Sequence, residues 1–151
     1  EVPAAIAVPA GNVMVATLVG SGDLTYECRA KAGSTTEFEW AFVGPNAILS
    51  DQNKKAVGKY YAGPTWESND GSKITGTQRA VSPSPRTGAI PLQLVQANPS
   101  TGNGMMTGVT YVQRLNTMGG VAPAAKPCAA ANVGAKETVT YQADYVFHKA
   151  R

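Results

Sequence analysis

Apolar and polar residues alternate with a period of two along most of this chain, and the three-to-four-residue period of an amphipathic helix is nearly absent. Runs of this kind predict strands over 12–19, 24–29, 38–43, 57–61, 73–81, 90–96, 108–116 and 138–148. Turn chemistry separates them: Gly20-Ser21-Gly22-Asp23, Gly44-Pro45-Asn46, Asn69-Asp70-Gly71, Ser82-Pro83-Ser84-Pro85 and the Asn/Gly-rich stretch 98–104. With 16 Gly and 10 Pro, the chain has enough turns to link short antiparallel strands. The spacing reads as all-β, an antiparallel sandwich or barrel. Short helical turns fit only at 47–52 and 129–133. The last strand has the cleanest faces: Val139, Tyr141, Ala143, Tyr145 and Phe147 on one, Thr138, Thr140, Gln142 and Asp144 on the other. The first face is expected in the core and the second in water.

The chain divides into an N-terminal segment, 1–11, and a single all-β domain, 12–151. In the segment, Val2, Ala4, Ile6 and Val8 form an apolar row, while Pro3 and Pro9 share the opposite parity. In an extended strand those prolines damage one hydrogen-bonding edge and leave the other usable. Such a strand suits the border of a sheet, its own or a neighbour's, and donated to a neighbour it makes the chain self-assembling. The plainer reading is a frayed tail.

Composition narrows the compartment and the partners. Only 15% of the 151 residues are charged, against roughly 25% in an average soluble protein. A surface covered mainly by uncharged polar residues suits a secreted protein, extracellular or on the cell surface, with the periplasm also admitted. The chain begins at Glu1 rather than methionine, as a secretory precursor does after signal cleavage. The net charge of +3 is dispersed and Lys54-Lys55 is the only basic doublet, so no nucleic-acid footprint is expected. No apolar run approaches the roughly 18 residues of a membrane-spanning helix. Cys28 and Cys128 have neither a CxxC partner nor a nearby histidine, which argues against zinc and dithiol chemistry. In an exported protein they form one disulfide, worth up to ~4.7 kcal/mol for a loop of about 100 residues. Two buried thiols are the cytosolic alternative.

No catalytic or metal-binding pattern is complete, and no cofactor is expected. His148 is the only histidine and lies three residues from the C-terminus. A chain end rarely holds a general base in place. Glu67 with Asp51, Asp70 or Asp144 becomes a hydrolytic pair only if two carboxylates converge roughly 5–9 Å apart. Asn69-Asp70-Gly71 is more simply a tight turn. The densest aromatic stretch is Y-Y-A-G-P-T-W-E-S-N-D-G-S at 60–72. If 62–64 bends, Tyr60, Tyr61 and Trp66, with Glu67 beside them, form an exposed platform for a glycan or a protein partner. The alternative is that Trp66 and one tyrosine belong to the core.

Several segments taken in order carry a resemblance: L-T-Y-E-C at 24–28, Y-Y-A-G-P-T-W-E at 60–67 with D-G-S following, A-I-P at 89–91, V-T-Y-V-Q-R-L-N-T-M-G-G at 109–120 and Y-Q-A-D-Y-V-F at 141–147. Over roughly 9–148 the chain resembles the DUF3455 family, uncharacterised secreted proteins of bacteria and fungi. The resemblance implies export and a single domain, and it transfers no catalytic residue. Members typically carry a histidine where this chain has Lys59 or Tyr60, so histidine-based chemistry is not carried over. The function expected first is a non-enzymatic, secreted structural or adhesive protein whose partners are other copies of itself, joined into filaments through Val2, Ala4, Ile6 and Val8. A carbohydrate-binding module around Trp66 comes second and a carboxylate hydrolase third.

Overall fold

The computed structural model describes residues 2–151; Glu1, the first residue of the expected N-terminal segment, lies outside them. Eight strands follow in chain order: β1 (Asn12–Ala30), β2 (Phe38–Ser50), β3 (Ala56–Tyr61), β4 (Thr65–Ser68), β5 (Lys73–Ser82), β6 (Leu92–Ala97), β7 (Val109–Gly119) and β8 (Lys136–Ala150). Each pairs antiparallel with the next, and β8 returns to β1 over Asn12–Glu27, closing an up-and-down barrel. Of the two all-β architectures the spacing allowed, the barrel is the one formed. Eight strands enclose an interior just wide enough for side chains or one small ligand.

Two expected turns run through the middle of strands. Gly20-Ser21-Gly22-Asp23 lies inside β1, paired on one side with β2 and on the other with β8. Its glycines provide room rather than a reversal: a Cβ on Gly20 would stand 2.6 Å from the Tyr145 ring. Gly44-Pro45-Asn46 lies inside β2, opposite an irregularity between Thr25 and Tyr26, which is where a sheet tolerates proline. The helical turn expected at 47–52 is strand as far as Ser50, whereas the one at 129–133 is a 3-10 turn, Ala130–Asn132. The four-residue β4 is too short for its alternation to be legible.

The core fills the barrel, with Leu18, Leu49, Trp66, Ile74, Val95, Val112, Ala143, Tyr145 and Phe147 buried inside it. Tyr141, Ala143, Tyr145 and Phe147 face inward together, as the period of the last strand predicts. The two ends differ. One is stoppered by the long β6–β7 connection, which inserts the fully buried Met106. Asp70 and Ser72 hold that connection: the Met105 amide donates to Asp70 Oδ2 at 2.8 Å and the Met106 amide to Ser72 Oγ at 3.0 Å. At the other end, Cys28 and Cys128 form a disulfide that ties the β7–β8 connection to β1.

The N-terminal segment departs from the extended strand its parity suggests. Ala4–Ile6 is a 3-10 turn entered through Pro3, whose φ of −59° is already suited to it. The apolar row is therefore broken: Ile6 is fully buried, while Val2 and Ala4 are exposed and Val8 is half-buried. Ile6 sits on the outer wall of the barrel against Leu92 and Leu94, with Val8, Ala80, Tyr111 and Leu115 around it. The Gln113 side-chain amide donates to the Ile6 carbonyl at 2.9 Å, and His148 Nε2 meets Gln113 Oε1 at 3.1 Å. A closed barrel offers this segment no free edge at that wall, so it docks by side chain instead.

Candidate functional site

Strand register sets a row of polar side chains on the inner wall near the unstoppered end. Gln93 of β6 pairs with Arg114 of β7, and Arg114 pairs with Tyr145 of β8. Gln78 of β5 completes the row, accepting a hydrogen bond on its Oε1 from Gln93 Nε2 at 2.6 Å. Across the lumen stand Leu24 and Tyr26 of β1, Pro45 of β2 and Tyr60 of β3. Together they bound a cavity of about 300 Å³, whose rim is Phe42–Pro45, the β3–β4 hairpin Ala62-Gly63-Pro64, and Ile90-Pro91. Gly63 has φ +94°, the left-handed value this tight hairpin needs.

The walls are aromatic. Tyr60 stacks on Trp66 at 4.7 Å and leans on Tyr145 at 5.1 Å, while Phe42 meets Tyr26 edge-on at 5.6 Å. Tyr141 and Tyr145 share a hydroxyl–hydroxyl contact of 3.0 Å, and Tyr26 donates to the Gly120 carbonyl at 2.6 Å. Burial pushes all four inward-facing tyrosines, Tyr26, Tyr60, Tyr141 and Tyr145, above the usual phenol range, and the Arg114 cation pulls each of them the other way. They are neutral hydroxyls at ordinary pH. Among the described residues lining the cavity, Arg114 is the one charged side chain.

Some of this polarity is unspent. Arg114 donates from Nε to the Pro91 carbonyl at 3.0 Å, and among the described residues it has no carboxylate partner. Among the described residues, Gln93 Oε1 is buried without a hydrogen-bond partner, as is Nε1 of Trp66, the cross-strand partner of Tyr60. Native interiors leave few such groups unpartnered, and each one requires a reason. A larger groove on the outer wall, 790 Å³, runs past Pro83–Arg86, Leu115 and Asn116. Its polar groups are engaged with one another: Arg86 donates to Asn116 Oδ1 at 2.6 Å and to the Thr117 carbonyl at 3.3 Å, and Asn116 donates to Asp144 at 3.3 Å.

The residues singled out in the sequence fall on both sides of the wall. Trp66 and Tyr60 are interior, 1% and 6% exposed, so they build no exposed platform. Tyr61 and Glu67 are on the outside, where the Tyr61 hydroxyl donates to Glu67 Oε1 at 2.6 Å. The candidate carboxylates are each engaged locally. Asp51 accepts from the Asn53 and Lys55 amides in the β2–β3 turn, Asp70 from Ser72 and Met105, and Asp144 from Asn116. His148 is turned to the outer wall beneath the N-terminal segment, and burial lowers its pKa. Among the described residues no three His, Cys, Asp or Glu side chains gather around a metal-sized space. Among the described residues no helix is long and apolar enough to cross a membrane.

The lumen residues Gln78, Gln93 and Arg114 were missed as a group. A signal was present: Gln78 shares parity with Ile74 and Gly76, and Arg114 with Val112, so each is a polar residue on a core-facing row. What periodicity cannot supply is the closure that brings three different strands to one cavity.

Residues 9–56 and 52–149 match the family model described as "Protein of unknown function (DUF3455)", the family its motifs resemble. No curated protein and no solved structure matches the chain.

Proposed function

The chain belongs to the DUF3455 family, and from that premise we propose that this member is a non-enzymatic binding protein that holds one small molecule in the open end of its barrel. The observation that carries this reading is the 300 Å³ aromatic cavity, lined by a few convergent polar groups of which Gln93 Oε1 is left unpartnered. Ligand sites are concave, mostly apolar and provided with a small number of placed polar groups. The size admits one or two fused rings and excludes a polymer threaded through the barrel. The stoppered end and the disulfide-tied rim support a rigid, preformed site. The disulfide also supports a working location outside the reducing cytosol.

The structural or adhesive reading is the second, and one feature favours it. β2 pairs with β3 only from Asn46 onward, so the earlier part of β2 has an open edge on that side, beside the exposed Phe42 and Val43. A donated N-terminal segment could add there only after Ile6 leaves its own barrel.

Native mass spectrometry of protein purified without denaturation, with light scattering beside it, separates the two. A monomer carrying one small molecule that is released on unfolding is the expected result. Bare chains in large assemblies that vanish when residues 1–10 are deleted would replace it with self-assembly.

A further inference from the structure

The lumen reading leaves the ligand's chemistry open, and the inference that follows rests on it. We propose that the ligand is a planar, largely apolar molecule bearing a single carboxylate, which sits on the Arg114 guanidinium while the ring body lies beside Tyr26, Phe42 and Tyr60.

Three observations converge on this class. First, Arg114 spends only its Nε, on the Pro91 carbonyl at 3.0 Å, and its two terminal nitrogens bond no described residue. A guanidinium carries five donors in a planar fork that matches a carboxylate, and the terminal nitrogens of the half-buried Arg114, which are not buried away from water, are free to take one. Second, every other described residue lining the cavity is neutral, with the tyrosines held neutral by burial. One positive charge balances one negative charge. A doubly charged phosphate would bring a second negative charge into an aromatic cavity that has no cation for it. Third, the aromatic rings of Tyr26, Phe42 and Tyr60 line the cavity together with the apolar Leu24, Pro45 and Ile90. The rings offer flat faces and edges on which a planar body packs.

The test uses 2-naphthoate and its neutral isostere 2-naphthamide, each titrated calorimetrically into the intact protein at low salt. The wild-type protein is expected to bind naphthoate about tenfold or more tightly than naphthamide, the usual scale of a charge-assisted pair. In Arg114→Gln, shown to be folded by its circular dichroism and melting curve, the two affinities are expected to come together. Equal affinities in the wild type, or a preference that survives Arg114→Gln, overturn the carboxylate assignment while leaving the lumen as a binding site. The wild-type comparison decides this even if the variant does not fold. Binding of neither compound overturns the lumen reading itself.

Discussion

Replacing Ile6 by alanine measures how much the N-terminal segment contributes to its own barrel. Ile6 is fully buried against Leu92 and Leu94, and its carbonyl is held by Gln113 at 2.9 Å. The substitution removes three carbons from an apolar contact, which at ~0.8 kcal/mol per buried methylene is about 2.4 kcal/mol. A cavity that fails to close would raise this toward the ~5 kcal/mol upper end of such substitutions. The segment is peripheral and free to shift by the small distance needed, so the lower figure is the expected one. For a domain of about 150 residues that corresponds to a melting temperature lower by roughly 5–10 °C. The assay is thermal unfolding followed by circular dichroism, with limited proteolysis of residues 2–11 alongside, because the loss can appear as undocking before global melting. An unchanged melting temperature together with unchanged cleavage of the segment would refute the view that Ile6 anchors it.

Removing the disulfide by Cys28→Ser with Cys128→Ser should cost about 2–5 kcal/mol, since it closes a loop with a sequence separation of 100; denaturant unfolding measures it, and hydrogen exchange should rise first between β7 and β8. Asp70 is held down to about 2 by the Ser72 hydroxyl, then by the Met105 and Ser72 amides. Because its folded pKa lies below the unfolded value of roughly 3.9, its contribution is present above about pH 4 and is lost as pH falls through about 2. A carboxyl ¹³C titration should locate that midpoint, and an ordinary carboxylate value would contradict the clamp on the Met105–Met106 connection. The lumen tyrosines run the other way: their raised pKa values give a contribution complete below about pH 10 and lost as pH rises beyond it. Absorbance titration should therefore show tyrosinate from these side chains appearing only with unfolding at high pH, and smooth ionisation of all tyrosines in the folded protein would contradict their burial.

Local rules made much of the fold legible. The alternation in 138–148 is legible because Tyr141, Ala143, Tyr145 and Phe147 are buried in the lumen, whereas Thr138 and Thr140 are exposed and Gln142 and Asp144 half-buried; it misses that Val139 is only partly buried and that Val146, on the outward face, is buried. Asn69-Asp70-Gly71 reads as a turn and is one, with Gly71 at φ +95°. The two cysteines pair with each other, as their lack of any other partner motif leads one to expect. Legibility fails where a residue type has two uses. Glycine at 20 and 22 looks like a reversal but provides space beside Tyr145 and the β2 backbone. Proline at 45 looks like a terminator but occupies an irregular stretch of β2. The aromatic segment at 60–67 is dense because a short hairpin sends alternate residues to opposite sides of the wall, so Tyr60 and Trp66 part from Tyr61 and Glu67. The site was the least visible part, since Gln78, Gln93 and Arg114 come from three strands and meet only through register.

A ¹H–¹⁵N correlation map of the protein titrated with 2-naphthoate tests the lumen most directly. Binding in the barrel mouth should move the amides of Ala62, Gly63, Gln78, Ile90, Gln93 and Arg114 together, leaving those of Ile6, Arg86 and Asn116 on the outer wall in place. Shifts confined to the outer wall, or none at any concentration, would contradict a ligand site inside the barrel.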